Sequence, residues 1–189
     1  MAKITWPGGT LLSPLPAVLV SSGTIDAPNA ATVAWTGIVN SEPPMTYISL
    51  RKSRHSHKII SQTGEFVINL TTSSLAKATD ACGVYTGAKM NKFKAYSLTP
   101  EKASKISAPM IAQSPVSLEC KVVEIKELGS HDMFLAEIVA VNVEESLLDE
   151  KGKLDLRKTN LMAYSHGDYV QLGKKVGSFG FAVKKKRRK

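Results

Sequence analysis

Apolar positions along this 189-residue chain recur mostly at every second residue or in short unbroken runs, bounded by Gly, Pro, Asn and Asp. That spacing predicts strands more often than helices. Residues 16–22 read as a buried strand, 23–28 as a turn built on Gly23, Asp26 and Pro28, and 31–39 as a second strand. Pro43 and Pro44 punctuate, and 45–51 read as a third strand. Residues 56–61 fit a short helix closed by Gly64, followed by a strand over 66–70 broken only by Asn69. Thr71 or Thr72 can cap a helix whose Leu75, Ala76, Thr79 and Cys82 share one face, with Gly83 and Gly87 at its end. Residues 89–93 read as a polar loop, and Thr99-Pro100-Glu101 as the start of a short helix with Pro at its first position. Residues 117–126 and 133–143 read as two strands of a hairpin about the turn Leu128-Gly129-Ser130. A turn at 149–153, a short apolar piece at 161–164 and a Gly-rich stretch over 169–181 complete the chain. Six or more strands against two or three short helices predict a mainly β fold, a barrel with peripheral helices. Without internal repeats or a long linker, residues 1–183 read as one domain and 184–189 as a tail.

Composition adds two constraints. The hydrophobic share is 43% but aromatics are only 6%, so the core must be built mainly from Val, Ile, Leu and Ala. The net charge is +9, which invites a nucleic-acid reading. Six of those charges, however, sit in Lys-Lys-Lys-Arg-Arg-Lys at 184–189, leaving +3 on the other 183 residues. The body is only mildly basic, so nucleic acid is disfavoured as a partner, and the tail is expected to be solvated and disordered. Cys82 and Cys120 lack metal-ligand spacing and make no disulfide framework. Pro14 and Pro16 interrupt the apolar region a signal peptide would need, and no run of 18 apolar residues exists. The expectation is a cytoplasmic protein with no membrane partner.

The stretch from 29 to 60 carries the chemistry. Asn29-Ala-Ala-Thr32-Val-Ala-Trp35-Thr36-Gly37 leads through Pro43-Pro44 to Ser49-Leu-Arg51-Lys-Ser-Arg54-His-Ser56-His-Lys-Ile-Ile. Hydroxyls and cations gathered at a strand-to-helix junction suit a phosphate; the alternative is a solvated, charged loop. Arg51, Lys52 and Arg54 repel one another, and an anion would relieve that (about 1 kcal/mol per exposed pair). Thr32, Trp35 and Thr36 could hold a flat ring beside it. Neither a P-loop nor a Gly-x-Gly-x-x-Gly after a strand is present, which argues against a nucleoside triphosphatase and a Rossmann domain. Ser130-His131-Asp132 has the residue types of a hydrolase triad, but extended neighbours point to opposite faces and cannot converge. His131 alone could face a ligand. Lys92 reads by default as a surface lysine and Trp35 as a core or interface anchor. His55, His57 and His166 lack acidic partners at metal spacing, so no metal is expected.

Taken together, these stretches resemble the flavin reductase-like family of FMN-binding split barrels, flavoredoxin-like proteins in particular. The landmarks run from Pro-Leu-Pro-Ala-Val-Leu-Val-Ser at 14–21 and the 29–37 stretch, through Arg51-x-x-x-x-Ser56 with Ile59-Ile60 and Gly-Glu-Phe-Val-Ile-Asn-Leu at 64–70. Asp-Ala-Cys-Gly-Val-Tyr-Thr-Gly at 80–87 follows, with Asn91-Lys-Phe93, Leu118-Glu-Cys120 and the 129–139 segment Gly-Ser-His-Asp-Met-Phe-Leu-Ala-Glu-Ile-Val. Each is weak alone; their order makes the set specific. The resemblance implies a six-stranded Greek-key split β-barrel and a homodimer with FMN near the interface. It also implies that Asn29, Thr32, Trp35 and Thr36 line the ring and ribityl chain, and that Ser49, Arg51, Arg54 and Ser56 hold the phosphate end. Lys92 would reach the same cofactor, and His131 and Tyr164 would close over the ring. Relatives often carry Thr at position 56; Ser56 keeps the hydroxyl. The implied activity is NAD(P)H-dependent flavin reduction. No side chain need act as a general base there, and backbone N–H groups of 34–37 with Lys92 or His131 could stabilise charge on the reduced ring. The alternative is an electron carrier with tightly held FMN, reduced by a partner protein. A module using the basic tail on nucleic acid is the weakest of the three readings.

Overall fold

The computed structural model describes residues 1–183. Its strands are β1 (Leu15–Pro16), β2 (Val18–Gly23), β3 (Pro28–Val33), β4 (Thr36–Ser41), β5 (Pro44–Arg51), β6 (Glu65–Leu70), β7 (Pro100–Glu101) and β8 (Met110–Ile111). After these come β9 (Val116–Glu127), β10 (His131–Val143), β11 (Met162–Ser165) and β12 (Asp168–Gln171). The helices are α1 (His55–Thr63), α2 (Ala76–Val84) and α3 (Lys92–Ala95). Seven strands make one antiparallel sheet in the order β3-β2-β6-β9-β10-β5-β4, with β1-β11-β12 and β7-β8 as smaller sheets.

The large sheet curls because its inward side chains share one core. Val18, Val20, Val33, Ile48, Leu50, Phe66, Ile68, Cys120, Phe134, Ala136 and Ile138, from six of its strands, pack together with Ile60 of α1. The alternation that buries Thr46, Ile48 and Leu50 of β5 leaves Met45, Tyr47, Ser49 and Arg51 on the outer face. On β10, Asp132, Phe134, Ala136 and Ile138 turn inward while His131 and Met133 turn outward. Asn69, buried within β6, ties four segments: its Nδ2 donates to Leu19 O and Ser21 Oγ, and its Oδ1 accepts from Ile111 N–H and Ser117 Oγ. The residue that interrupts an apolar run is thus a satisfied polar hub.

Three sequence expectations change. The strand expected over 31–39 is two strands at opposite edges of the sheet, broken at Ala34-Trp35, so the barrel has seven strands rather than six. The corner is fixed by Thr36 N–H to Ala34 O and Ser49 N–H to Trp35 O. The helix expected from Thr99 is instead β7, paired with β8, because Thr99 N–H is taken by the Gln113 side chain and Pro100 lies opposite Ile111. The loop expected at 89–93 contains the start of α3, with Asn91 Oδ1 capping Lys94 N–H. The helix after Thr71 opens with a single 3-10 turn at 73–75, and α2 runs past Gly83 to Val84. The tail at 184–189 lies outside the described residues.

Candidate functional site

Helix α1 follows β5, packs on β2 and β3 and is tied to β10, so that it bridges the gap beside β3. This helix starts at the turn after Arg51, with Arg54 in extended conformation as its N-cap and Gly64 closing it at φ 68°. Two polar ties hold its first turn. Asn29 Nδ2 of β3 donates to Ser56 Oγ (2.8 Å) and to Ser22 Oγ (3.2 Å), and His57 Nε2 lies 2.7 Å from Asp132 Oδ2 of β10. Gly87 packs against the first tie: a Cβ there would meet Asn29 Oδ1 at 2.0 Å and His55 Cδ2 at 3.1 Å. No side chain fits at that position without displacing Asn29.

Outside the barrel, two hollows share Trp35. The smaller, about 150 Å³, is lined by Thr32, Val33, Ala34, Trp35, Ser49, Leu50, Arg51, Arg54 and His131. The larger, about 770 Å³, lies beneath the N-terminal arm, between Trp6, Leu12 and Leu15 on one side and Trp35, Tyr164 and His166 on the other. His131 and Arg51 are direct cross-strand partners on β10 and β5, and Met133 faces Ser49 one step along. The His131 ring lies 4.6 Å from that of Trp35, tilted by 39°. Burial, then the Arg51 charge, pushes the His131 imidazole below its ordinary range. Its Nδ1 is 2.9 Å from Ser130 Oγ. Among the described residues, no acidic side chain lines either hollow.

The structure therefore gathers Thr32, Trp35, Ser49, Arg51, Arg54 and His131 around one hollow and places Tyr164 in the adjoining one. The others stand differently. The Thr36 hydroxyl is directed to Tyr47 O at 2.5 Å and its N–H to Ala34 O, so neither is free for a ring. Asn29 and Ser56 are buried and bonded to each other beneath the turn. The Thr32 hydroxyl donates to Thr79 O, leaving the rest of the side chain at the hollow. Lys92, read by default as a surface lysine, is 3% exposed, and its Nζ donates to Ala30 O (2.8 Å) and Cys82 O (2.9 Å). These bonds leave one of its three donors. Burial lowers its pKa, and Arg54 is close enough to lower it further. Asp132 and His57, absent from the sequence-derived set, are the hidden part of the site. The signal available was His57 beside Ser56, and Asp132 on the face opposite His131.

A curled antiparallel sheet with a helix bridging its gap, and an outer cleft lined by Arg51, Arg54 and the Trp35 indole, defines a split-barrel protein. The chain belongs to the flavin reductase-like family, FMN-binding split barrels: residues 11–173 match the Flavin reductase like domain. It is similar in structure to flavoredoxin of Desulfovibrio vulgaris (Miyazaki F), with a TM-score of 0.89 and 30% identity over 97% of this chain and 100% of that one. An uncharacterized protein of Archaeoglobus fulgidus is 34% identical over 156 residues, 82% of this chain and 86% of that protein. A more distant relative, FMN reductase (NADH) RutF of Stutzerimonas stutzeri, is 24% identical over 108 residues, 57% of this chain and 60% of that protein.

Proposed function

We propose that the paired hollows bind FMN and that the chain passes reducing equivalents from NAD(P)H through it. The observation that carries this is the meeting of Arg51, Arg54 and His131 with Trp35 in a cleft that, among the described residues, contains no carboxylate. Two guanidinium groups without a counter-ion suit a phosphate monoester. The larger hollow is within the usual volume of small-molecule sites, roughly 300–1,000 Å³, and its Trp35, Tyr164 and His166 walls suit a planar heterocycle. When bound, FMN supplies the redox chemistry.

The protein's own part is binding, orientation and charge. Arg51 and Arg54 hold the phosphate end, and Lys92 offers its third donor from below. Trp35 limits the ring on one side. His131, beside Trp35, can offer a ring nitrogen as a hydrogen-bonding group. Asn29 and Ser56 act beneath the turn, keeping α1 against β3. Exposed apolar groups that line the hollows, Trp6, Leu11, Leu12 and Trp35, would be covered by a second copy of the chain, giving a homodimer with the cofactor near the interface.

The likeness to flavoredoxin favours a second reading, a carrier whose FMN is reduced by another protein. Anaerobic mixing of the FMN-loaded protein with NADH and with NADPH separates the two. Rapid bleaching of the flavin by either nicotinamide is the expected result. No bleaching by either, with full bleaching by dithionite, would leave the carrier.

A further inference from the structure

Behind the outer cleft lies a second layer of charge that the flavin reading does not use. Asp132 follows His131 on β10 but turns to the inner face, where it is 4% exposed. Its Oδ2 meets His57 Nε2 of α1 at 2.7 Å, and its Oδ1 stands 3.6 Å from Lys52 Nζ of the turn. Among the described residues, Oδ1 has no hydrogen-bond partner. Lys52 Nζ also reaches the exposed Glu127 at 2.7 Å, and the His57 ring sits edge-on to Phe134 at 5.0 Å.

A buried carboxylate with one oxygen unsatisfied is a costly way to pack a helix; an apolar side chain would fill the space more cheaply. What it adds is negative charge beside Lys52 and His57, the residues that flank Arg54 on either side along the turn. It also draws Lys52 and His57 to the inner side of the turn, while Arg51 and Arg54 line the outer cleft.

We propose that Asp132 is the positioning residue of the cationic turn, holding residues 51–57 in the arrangement that presents two guanidinium groups to a phosphate. The proposal rests on the reading of the outer cleft as a phosphate site. It predicts an effect selective for the phosphate, because the Asp132 carboxylate meets Lys52 and His57 on the turn that carries the guanidinium groups.

The test compares the wild-type protein with Asp132→Asn, which keeps the shape and removes the charge, and with His57→Gln. FMN and riboflavin affinities are measured, together with hydrogen exchange of the 51–57 amides in flavin-free protein. Asp132→Asn is expected to weaken FMN by about tenfold, the usual worth of one charge-assisted contact, and to leave riboflavin within about twofold. Exchange over 51–57 should quicken while that of β6 and β9 does not. His57→Gln should act in the same direction, and the double variant should be no worse than Asp132→Asn, because the two side chains act as one unit. Should Asp132→Asn not fold, Lys52→Met carries the same selective expectation. Equal losses for FMN and riboflavin, or unchanged exchange over 51–57, would overturn the proposal. If the wild-type protein bound neither flavin, the phosphate reading would fall, and exchange alone would decide whether Asp132 holds the turn.

Discussion

Arg51 and Arg54 meet the cleft directly, whereas Ser56 supports it from below, and single substitutions should separate these roles. Arg54→Ala removes a charge from a partly open position and a contact worth about 1.5–3 kcal/mol to a phosphate. It is expected to weaken FMN by about 10- to 100-fold with little change in melting temperature. Ser56→Ala removes the acceptor of the Asn29 amide at a 2%-exposed position. It should instead cost stability, about 1–3 kcal/mol for an orphaned buried donor. Titration of each variant with FMN, beside a thermal melt, checks both; an equal pattern in the two would contradict the division. The cluster 49–56 was legible because cations and hydroxyls stand together in the chain. The burial of Lys92 was not, because its carbonyl partners, Ala30 and Cys82, lie 62 and 10 residues away and leave no mark on local polarity. Asp132 was hidden for the same reason: alternation shows that it opposes His131, but not that a helix 75 residues earlier waits on that side.

Most strands could be read from alternation, with α1 and its Gly64 cap; the break between β3 and β4 could not. Residues 31–39 form one apolar run, and only the bonds from Ala34 and Trp35 to Thr36 and Ser49 send its halves to opposite edges of the sheet. A second feature beyond sequence reading is the anchoring of the 102–109 loop on β9. Glu119 is fully buried and accepts from Ser104 N–H and Oγ, Lys105 N–H and Asn142 Nδ2. Burial pushes its carboxyl up, but those donors outweigh burial and hold it below its ordinary value of 4.5. A depressed carboxylate adds stability above the unfolded-state pKa and loses it as pH falls through the folded one. Thermal melts should therefore show Glu119→Gln less stable than the wild type by several degrees at pH 7. That gap should narrow steadily as pH drops below 4.5. A gap independent of pH would mean that shape, and not charge, is what the site requires.

For the whole molecule, a mainly β barrel was legible, and the order of landmarks pointed to the family to which the chain belongs. The count of strands and the bridging of the split by α1 came from contacts distant in sequence. Among the described residues no helix is long and apolar enough to cross a membrane. The apolar groups left exposed around the cleft, Trp6, Leu11 and Leu12 among them, lead us to expect a dimer in solution. Sedimentation equilibrium should return twice the 20.4 kDa chain mass. A single-chain mass at micromolar concentration would show that the cleft is complete without a partner.

The central claim is a site that grips a mononucleotide by its phosphate beside an indole. Titrating flavin-free protein with FMN and, separately, with riboflavin, and following quenching of flavin fluorescence, tests it most directly. The account predicts saturable quenching by FMN at one per chain, with affinity at least about tenfold above that for riboflavin. FMN quenching that fails to saturate, or equal affinity for the two flavins, would contradict it.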